Sequence, residues 1–213
     1  MRITRIERES RLKKRYQIFV NEQALISVHE DTLIKHNLHK GMEVNQHTLR
    51  DVMKADERNQ VRLKALRYLS YRPRTCNEVR IYLAKLELNP DDIEHMIAEL
   101  KDCGYLDDRK YAHAWVEERK RNKGYGWLKV KQELKAKGIS DRWIEEVHSQ
   151  FAQEEQRQLA MEIAERRYLR IQHDPWPKIE RKLGQYLQRR GFSLGEIYDV
   201  LAHIRAQNRI ERE

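Results

Sequence analysis

Few residues in this sequence could crosslink the chain. Only two of its 213 residues are cysteines. Cys76 and Cys103 belong to no CxxC motif and have no second Cys/His pair, so the sequence indicates neither a disulfide framework nor a zinc site. We expect both to be reduced thiols that are buried or half-buried. The fold is therefore expected to depend on noncovalent packing alone.

Long apolar runs and two common catalytic motifs are also absent. No stretch approaches the ~18 apolar residues that span a bilayer, and residues 1–5 lack the apolar core of a signal peptide. The patterns His-Glu-x-x-His and Gly-x-Gly-x-x-Gly do not occur. We therefore expect a cytoplasmic, non-catalytic protein that has no cofactor or metal and does not contact a membrane.

Charge is the most abundant feature of the composition. Lys and Arg number 43 against 34 Asp and Glu, which gives a formal net charge of +9, and hydrophobic residues make up only 39% of the chain. An excess of positive charge favours an anionic partner. Nucleic acid is the leading candidate, although composition alone does not separate DNA, RNA and acidic protein.

One pattern of a leucine, a turn and an isoleucine occurs three times. The isoleucines are spaced by 51 and 53 residues, and the leucines share this spacing. A regular period of this length is typical of stacked structural repeats. Such an array offers a long surface rather than a catalytic pocket. The residues concerned are Leu83, Leu134 and Leu187, with Ile93, Ile144 and Ile197.

The repeat divides the chain into four predicted parts. They are an N-terminal extension over residues 1–54 and three-helix units over residues 55–106, 107–153 and 154–213. A unit of roughly 50 residues is near the lower limit for independent stability. Each unit is therefore expected to be stabilised by packing against its neighbours. The predicted fold is mainly α, with three tandem three-helix repeats in an elongated, curved array.

Helix caps support this division. Asn89, Ser140 and Ser193 are predicted N-caps with a hydrophobic staple around each, and Thr75 with Glu78 fits a capping box. Further cap positions follow from the same reasoning. They are Gly104 and Asp107 between the first two units, left-handed Gly138 and Gly191 before two of the caps, and Glu87, which is expected to turn differently.

The first fifty residues have a different pattern. Residues 2–7, 16–20 and 24–28 are rich in β-branched and aromatic residues and predict three strands of a small antiparallel sheet. Residues 30–38 look helical, and a further helix is expected to begin near residue 45 or 46. The extension is therefore predicted to be a small α+β cap.

Basic residues cluster in the first two helices of each unit, whereas the third helices are acidic. Helix dipoles explain the acids but not the basic clusters. We interpret the clusters as a basic face that is repeated along the array, with a solvated surface that has no partner as the alternative. The candidate binding residues are Arg72, Arg74, Arg80, Arg119, Arg121, Lys123, Lys129, Lys131, Lys135, Lys137, Arg166, Arg167, Lys178, Arg181, Lys182, Arg189 and Arg190.

Aromatic residues lie among these cations. Tyr125, Trp127, Trp176 and Tyr186 are all close in sequence to a candidate Lys or Arg. Stacking on exposed bases is one use for such residues. Packing between helices is the use that the general burial of aromatics favours.

These motifs together resemble the RecX family of recombination regulators. The resemblance extends from about residue 61 to residue 206, and residues 1 to about 54 look like the N-terminal extension of some Gram-positive members. The motifs that carry it are Arg72-Pro73-Arg74-Thr75, Glu78-Val79-Arg80, Gly104-Tyr105-Leu106-Asp107-Asp108, Tyr111-Ala112, Glu133-Leu134 and Lys137-Gly138-Ile139.

The resemblance implies a regulator of homologous recombination, DNA repair and the SOS response. It implies binding to the RecA recombinase, with the protein lodged in the helical groove of the RecA–DNA filament. Filament extension, strand exchange and ATP hydrolysis would then be inhibited. We expect a monomer that also binds single- and double-stranded DNA weakly and without sequence preference.

Two other classes of protein remain open from the sequence. Three-helix units with short turns are also found in sequence-specific helix-turn-helix regulators, in which one recognition helix carries residues for base edges. A protein scaffold without nucleic-acid contact is the third possibility, and its partner binding would be insensitive to salt.

Overall fold

The computed structural model describes residues 1–10, 14–149 and 153–210. In these ranges it contains one three-stranded sheet and ten helices. The residues form two compact units, one made of residues 1–72 and 85–88 and the other of residues 73–84 and 89–213. The mainly α fold with a small N-terminal sheet is confirmed.

The first unit is built on an antiparallel sheet. Its strands are β1 (Ile3–Arg8), β2 (Arg15–Val20) and β3 (Gln23–His29), in the order β1-β2-β3. Apolar residues alternate along each strand, so one face of the sheet is buried. The three predicted strands are confirmed: β1 is shifted by one residue, β2 is one residue longer and β3 is two residues longer.

Two helices follow the sheet in this unit, namely α1 (Glu30–Lys35) and α2 (Gln46–Ser70). α2 begins at the Asn45 N-cap, whose side chain accepts a hydrogen bond from Thr48 N at 2.8 Å. Leu49 and Val52 then pack against the sheet core. α2 continues without a break past residue 54, so one helix joins the extension to the first predicted repeat.

A buried carboxylate connects α2 to the sheet. Asp56 Oδ1 accepts hydrogen bonds from His29 N at 2.6 Å and Thr32 Oγ1 at 3.1 Å. Its Oδ2 accepts from Gln60 Nε2 at 2.9 Å and Arg15 Nη2 at 3.1 Å. Burial by itself would raise the pKa of Asp56, but these donors outweigh it and hold the pKa below the ordinary value.

Replacing Asp56 with alanine is expected to lower the free energy of unfolding by about 3 kcal/mol, because it leaves the largely buried guanidinium of Arg15 without a carboxylate partner. Since the folded pKa lies below the ordinary 3.8, ionised Asp56 stabilises the fold above that pH. This stabilisation is lost as the pH falls through the folded pKa. The difference between wild type and variant should therefore shrink below about pH 4 in urea titrations followed by circular dichroism.

The exposed Asp51 on the same helix is the control for this prediction. It pairs only with the exposed His47 among the described residues. Asp51→Ala should change the free energy of unfolding by less than about 0.5 kcal/mol. Equal effects of the two variants would contradict the role assigned to Asp56.

The described residues of the second unit contain eight helices. The first two follow the latter part of α2 in the chain, and the other six form two groups of three, in agreement with the predicted repeat. They are α3 (Cys76–Ala84), α4 (Pro90–Asp102), α5 (Asp108–Lys123), α6 (Trp127–Ala136), α7 (Asp141–His148), α8 (Gln153–Tyr168), α9 (Trp176–Arg190) and α10 (Leu194–Ile210).

Equivalent positions of the repeats are buried in the same way. Leu134 and Ile144 lie in the core of the second repeat, and Leu187 and Ile197 lie in the core of the third. Leu83 and Ile93 of the first repeat are buried as well. The period found in the sequence is therefore a period of core positions.

The cap predictions are mostly confirmed. Asn89 accepts a hydrogen bond from Asp91 N, Asp107 accepts one from Lys110 N, and Ser193 forms a reciprocal box with Glu196. Ser140 occupies its N-cap position, but its side chain makes no cap hydrogen bond.

The prediction for Glu87 was wrong. Its φ is +57°, so it has the left-handed backbone also found at Gly138 and Gly191, whose φ values are +75° and +89°. A side chain tolerates this conformation at a cost of roughly 1–2 kcal/mol. The conformation alone does not require glycine at this point of the repeat.

Candidate nucleic-acid interface

The C-terminal end of α9 meets the N-terminal end of α6. Gly126 N donates a hydrogen bond to Arg190 O at 2.9 Å, and Leu128 N donates one to Gly191 O at 3.0 Å. The N-cap of α6 is glycine and has no side-chain cap bond. Helix ends leave N–H and carbonyl groups without partners inside the helix. At this α9–α6 junction the two sets of end groups bond to each other.

The α6–α3 junction is formed similarly. The hydroxyl of Thr75, the N-cap of α3, donates to Lys137 O at the end of α6 at 2.8 Å. Thr75 also forms the predicted capping box with Glu78, with both hydrogen bonds at 3.1 Å. The second helices of the three repeats therefore meet end to end in the order α9, α6, α3.

An exposed stripe runs along α6 and another along α9. Their members recur three or four positions apart, so each set lies on one side of its helix. Lys129 and Gln132 of α6 line the same cleft as Gln188 and Arg189 of α9, which places both stripes on one side of the junction. We call these exposed residues the second-helix face: Arg181, Gln185, Gln188 and Arg189 of α9 with Leu128, Lys131, Gln132 and Lys135 of α6.

Six of the candidate cations make no ion pair with a carboxylate in the part of the chain that the structure describes. All are exposed except Lys129, which is half-buried in the cleft wall. Their positive charge is not neutralised locally and remains available to an anion. These residues are Arg121, Lys123, Lys129, Lys131, Arg181 and Arg189.

Two other candidates are parts of the fold. Arg119 lies 3.9 Å and Lys137 lies 4.3 Å from the ring of Trp115, which is held between them. Arg119 Nε donates to Glu133 at 2.6 Å, and Lys137 Nζ lies 3.4 Å from Glu78. Both cations are mostly buried, so their charge is used within the protein.

Ion pairs engage further candidates at exposed positions. Lys178 and Lys182 both bond to Asp174, and these hydrogen bonds lower the pKa of Asp174. Exposed ion pairs of this kind are weak and break readily in favour of another anion. The other pairs are Lys135–Asp141 at 3.1 Å, Arg166–Glu162 at 3.5 Å and Arg80–Glu94 at 3.0 Å.

The remaining candidates contact the body of the protein. Arg167 and Arg190 both lie over the ring of Tyr186, at 5.7 and 5.0 Å, and Arg190 also donates a hydrogen bond to Lys123 O. Arg74 is half-buried 4.0 Å from Glu78. Arg72 is exposed in the turn before α3.

The aromatic residues among the cations pack inside the repeats. Tyr125 and Trp127 contact the core of the second repeat, and Trp176 and Tyr186 contact that of the third. Packing between helices, the favoured interpretation of the sequence, is confirmed. The cationic surface is therefore built mainly from side chains of Lys, Arg and Gln.

The cysteines differ in exposure. Cys76 is buried at the start of α3, and burial raises the pKa of its thiol to about 11. Cys103 is exposed, so the expectation of two buried or half-buried thiols was wrong for this residue. It follows the last turn of α4, where its backbone N–H caps the helix end.

The described residues contain neither a membrane-spanning helix nor a metal-binding cluster. No helix in residues 1–10, 14–149 and 153–210 is both long and apolar enough to cross a bilayer. The same residues contain no group of three or more His, Cys, Asp and Glu arranged to hold a metal ion.

A small sheet followed by three three-helix units, whose second helices meet end to end, defines a mainly helical tandem-repeat protein. Four family models match this architecture: the Regulatory protein RecX N-terminal domain at residues 1–45, and the first, second and third RecX three-helix domains at residues 62–100, 107–147 and 154–201. The chain belongs to the RecX family of regulatory proteins, which confirms the resemblance seen in the sequence.

Individual relatives agree with this assignment. The chain is 33% identical to Regulatory protein RecX of Halalkalibacterium halodurans, over 99% of this chain and 81% of that protein. It is 32% identical to Regulatory protein RecX of Bacillus subtilis, over 97% and 78%. A crystal structure of regulatory protein RecX has a TM-score of 0.79 at 28% identity and covers 95% of this chain and 98% of that one. RecX from Lactobacillus salivarius has a TM-score of 0.66 at 29% identity, over 71% and 99%.

Proposed function

We propose that this protein regulates the RecA recombinase by binding the RecA–DNA filament in its helical groove. The second-helix face contacts the DNA, and the bound protein inhibits filament extension, strand exchange and ATP hydrolysis without catalysing a reaction. The single observation that carries the proposal is the row of unneutralised cations along α9 and α6. Membership of the RecX family supports the role of a RecA regulator.

The geometry of the face suits a polyanion better than a small ligand. α6 has 10 residues and α9 has 15, so at about 1.5 Å per residue they present roughly 15 and 22 Å of helix surface. Cations at several points of such a surface can contact successive phosphates. Because the contacts are to phosphates rather than to base edges, the binding has no strong sequence preference.

The third helices argue against a sequence-specific helix-turn-helix regulator. In such regulators a recognition helix enters the major groove and carries residues that read base edges. Here α4, α7 and α10 instead expose carboxylates, which phosphates repel. The exposed acids include Asp92, Glu94, Asp141, Glu145 and Asp199.

The test is the ATPase activity of RecA on single-stranded DNA with the protein added at substoichiometric ratios. Inhibition that weakens as salt is raised is the expected result, because phosphate contacts depend on counterion release. An unchanged ATPase rate would overturn the proposed function. A gel shift that compares random with selected DNA separates the alternatives, since a large preference for selected DNA would favour the regulator.

A further inference from the structure

A cleft lies at the α9–α6 junction, beside the second-helix face. Its volume is about 420 Å³. Lys129 and Arg189 supply positive charge, and Phe192 lies at its base, where only 2% of the residue is exposed. Leu128 and Leu194 form apolar parts of the rim and remain 52% and 62% exposed. The cleft therefore combines cations with apolar side chains that nothing in the described chain covers.

Comparison with the equivalent positions of the other repeats shows that exposed apolar residues at the start of α10 are particular to the third repeat. Leu194 occupies the position of Asp141 in the preceding repeat, 53 residues earlier. Tyr198, one turn further along α10 and 66% exposed, occupies the position of Glu145. Glu94 occupies the same position as Glu145 in the first repeat. Two third-helix sites that are acidic in the second repeat are thus apolar and exposed in the third.

The charges at the two junctions also differ. At the α6–α3 junction, Glu78 accepts contacts from Arg74 and Lys137 and neutralises them. The equivalent position at the α9–α6 junction is Lys129. The acid of one junction is therefore a cation at the other.

An ion pair beside the α6–α3 junction also has no counterpart beside the α9–α6 junction. Lys135 pairs with Asp141 at 3.1 Å in the second repeat. Gln188 and Leu194 occupy those two positions in the third repeat. The α9–α6 junction is thus cationic and apolar where its counterpart is neutralised by acids.

We propose that this cleft binds a peptide segment of the RecA subunits in the filament, one that carries a bulky apolar side chain next to carboxylates. The apolar side chain covers Leu128, Leu194 and Tyr198, and the carboxylates meet Lys129 and Arg189. Exposed apolar side chains grouped beside a concave surface are typical of protein-binding sites, and the cations select an acidic partner. This inference rests on the proposed function. It assigns Leu194 and Tyr198 to filament protein alone, whereas Arg189 belongs both to the cleft and to the second-helix face that contacts DNA.

Nucleic acid is the weaker occupant for this cleft. Contacts to a backbone of phosphates need cations and polar donors, which the second-helix face already supplies. Leu194 has no hydrogen-bond donor in its side chain, and Tyr198 has only its hydroxyl, so neither supplies positive charge to a phosphate. Their replacement should therefore affect binding to RecA and leave binding to DNA alone unchanged.

The experiment compares two double variants of the full chain. Leu194→Ser with Tyr198→Ser removes the apolar rim, and Asp141→Ser with Glu145→Ser makes the same change at the equivalent sites of the second repeat. The first variant should inhibit the RecA ATPase at least about tenfold more weakly than wild type, because the affinity gained by burying one such side chain is of that size. The second variant removes the partner of Lys135 and should inhibit at least as strongly as wild type does. The first variant should bind single-stranded DNA, measured by fluorescence anisotropy, with wild-type affinity.

Each outcome has one meaning. Wild-type inhibition by the Leu194/Tyr198 variant would overturn the cleft proposal and leave the proposed function standing. Loss of its binding to DNA alone would also overturn the proposal, because the cleft would then be a DNA site. Failure of wild type itself to inhibit RecA would overturn the proposed function and this inference with it. Thermal melting by circular dichroism confirms that both variants are folded, which their exposed positions lead us to expect.

Discussion

Gly191→Ala is expected to lower the free energy of unfolding of the second unit by about 3 kcal/mol or more, because a side chain there meets two obstacles. The φ of Gly191 is +89°, a conformation that side chains rarely adopt. A Cβ atom at this position would also lie 2.3 Å from Lys129 N and 2.4 Å from Lys129 Cβ. The overlap can be relieved only by separating α9 from α6.

Substitutions at two other glycines measure backbone strain and steric overlap separately. A Cβ at Gly104, whose φ is +75°, would meet nothing within 4 Å, so Gly104→Ala should cost only about 1 kcal/mol of backbone strain. Gly126 has an ordinary φ of −74°, but its Cβ would lie 2.5 Å from Gly191 O. Gly126→Ala should therefore destabilise through overlap alone, by about 2 kcal/mol.

Urea unfolding followed by tryptophan fluorescence measures all three changes. The four tryptophans all lie in the second unit, so the signal reports that unit. If Gly191→Ala destabilised no more than Gly104→Ala, the direct contact between α9 and α6 would be disproved.

Reversing the charge of three second-helix cations should weaken binding to single-stranded DNA by about a hundredfold at low salt. The variant carries Lys131→Glu, Arg181→Glu and Arg189→Glu, at residues that are exposed and have no carboxylate partner among the described residues. Each lost phosphate contact removes about 0.7 from the slope of log affinity against log salt, so the slope should fall by about 2. Inhibition of the RecA ATPase should fall in parallel. Anisotropy titrations over a range of salt concentrations measure the slope.

A matched variant places the same charge change elsewhere. Lys101→Glu, Lys110→Glu and Arg142→Glu alter exposed residues of α4, α5 and α7 that are not part of the second-helix face. This control should retain DNA binding within about threefold, because salt screens the interaction between DNA and charges that do not contact it. Equal losses in the two variants would show that net charge rather than the face is responsible. Lys137 and Arg119 are left unchanged in both because their contacts stabilise the repeats.

The sequence was sufficient to predict the repeat and its caps because these depend on short-range physics. A staple such as that around Ser193 involves residues within five positions of one another, and a left-handed Gly191 follows from the same local turn. The spacing of Leu134 and Leu187 then showed that the same unit recurs. The same reasoning failed at Glu87, because its residue type did not indicate the left-handed backbone conformation that the structure shows there.

The candidate site was only partly predictable for a related reason. The sequence identified cations by type, and Lys131, Lys135 and Lys137 look alike in it. In the structure Lys131 has no carboxylate partner among the described residues, Lys135 forms an exposed ion pair and Lys137 is held between Glu78 and Trp115. Which cation is neutralised depends on acids and rings that lie up to 59 positions away in the chain.

Sequence by itself determined the family, the three helical units, the N-terminal sheet and the cationic excess, since each follows from residue type and local spacing. Tertiary structure alone decided that α9, α6 and α3 meet end to end, which turns glycine at 126, 138 and 191 from a turn preference into a requirement for close contact. It also decided that the cations at the α6–α3 junction are neutralised by Glu78, whereas the α9–α6 junction is cationic and apolar. The physical reason is that a helix end offers unpaired N–H or carbonyl groups along its axis, and only the packed chain determines which distant helix end lies there to bond with them.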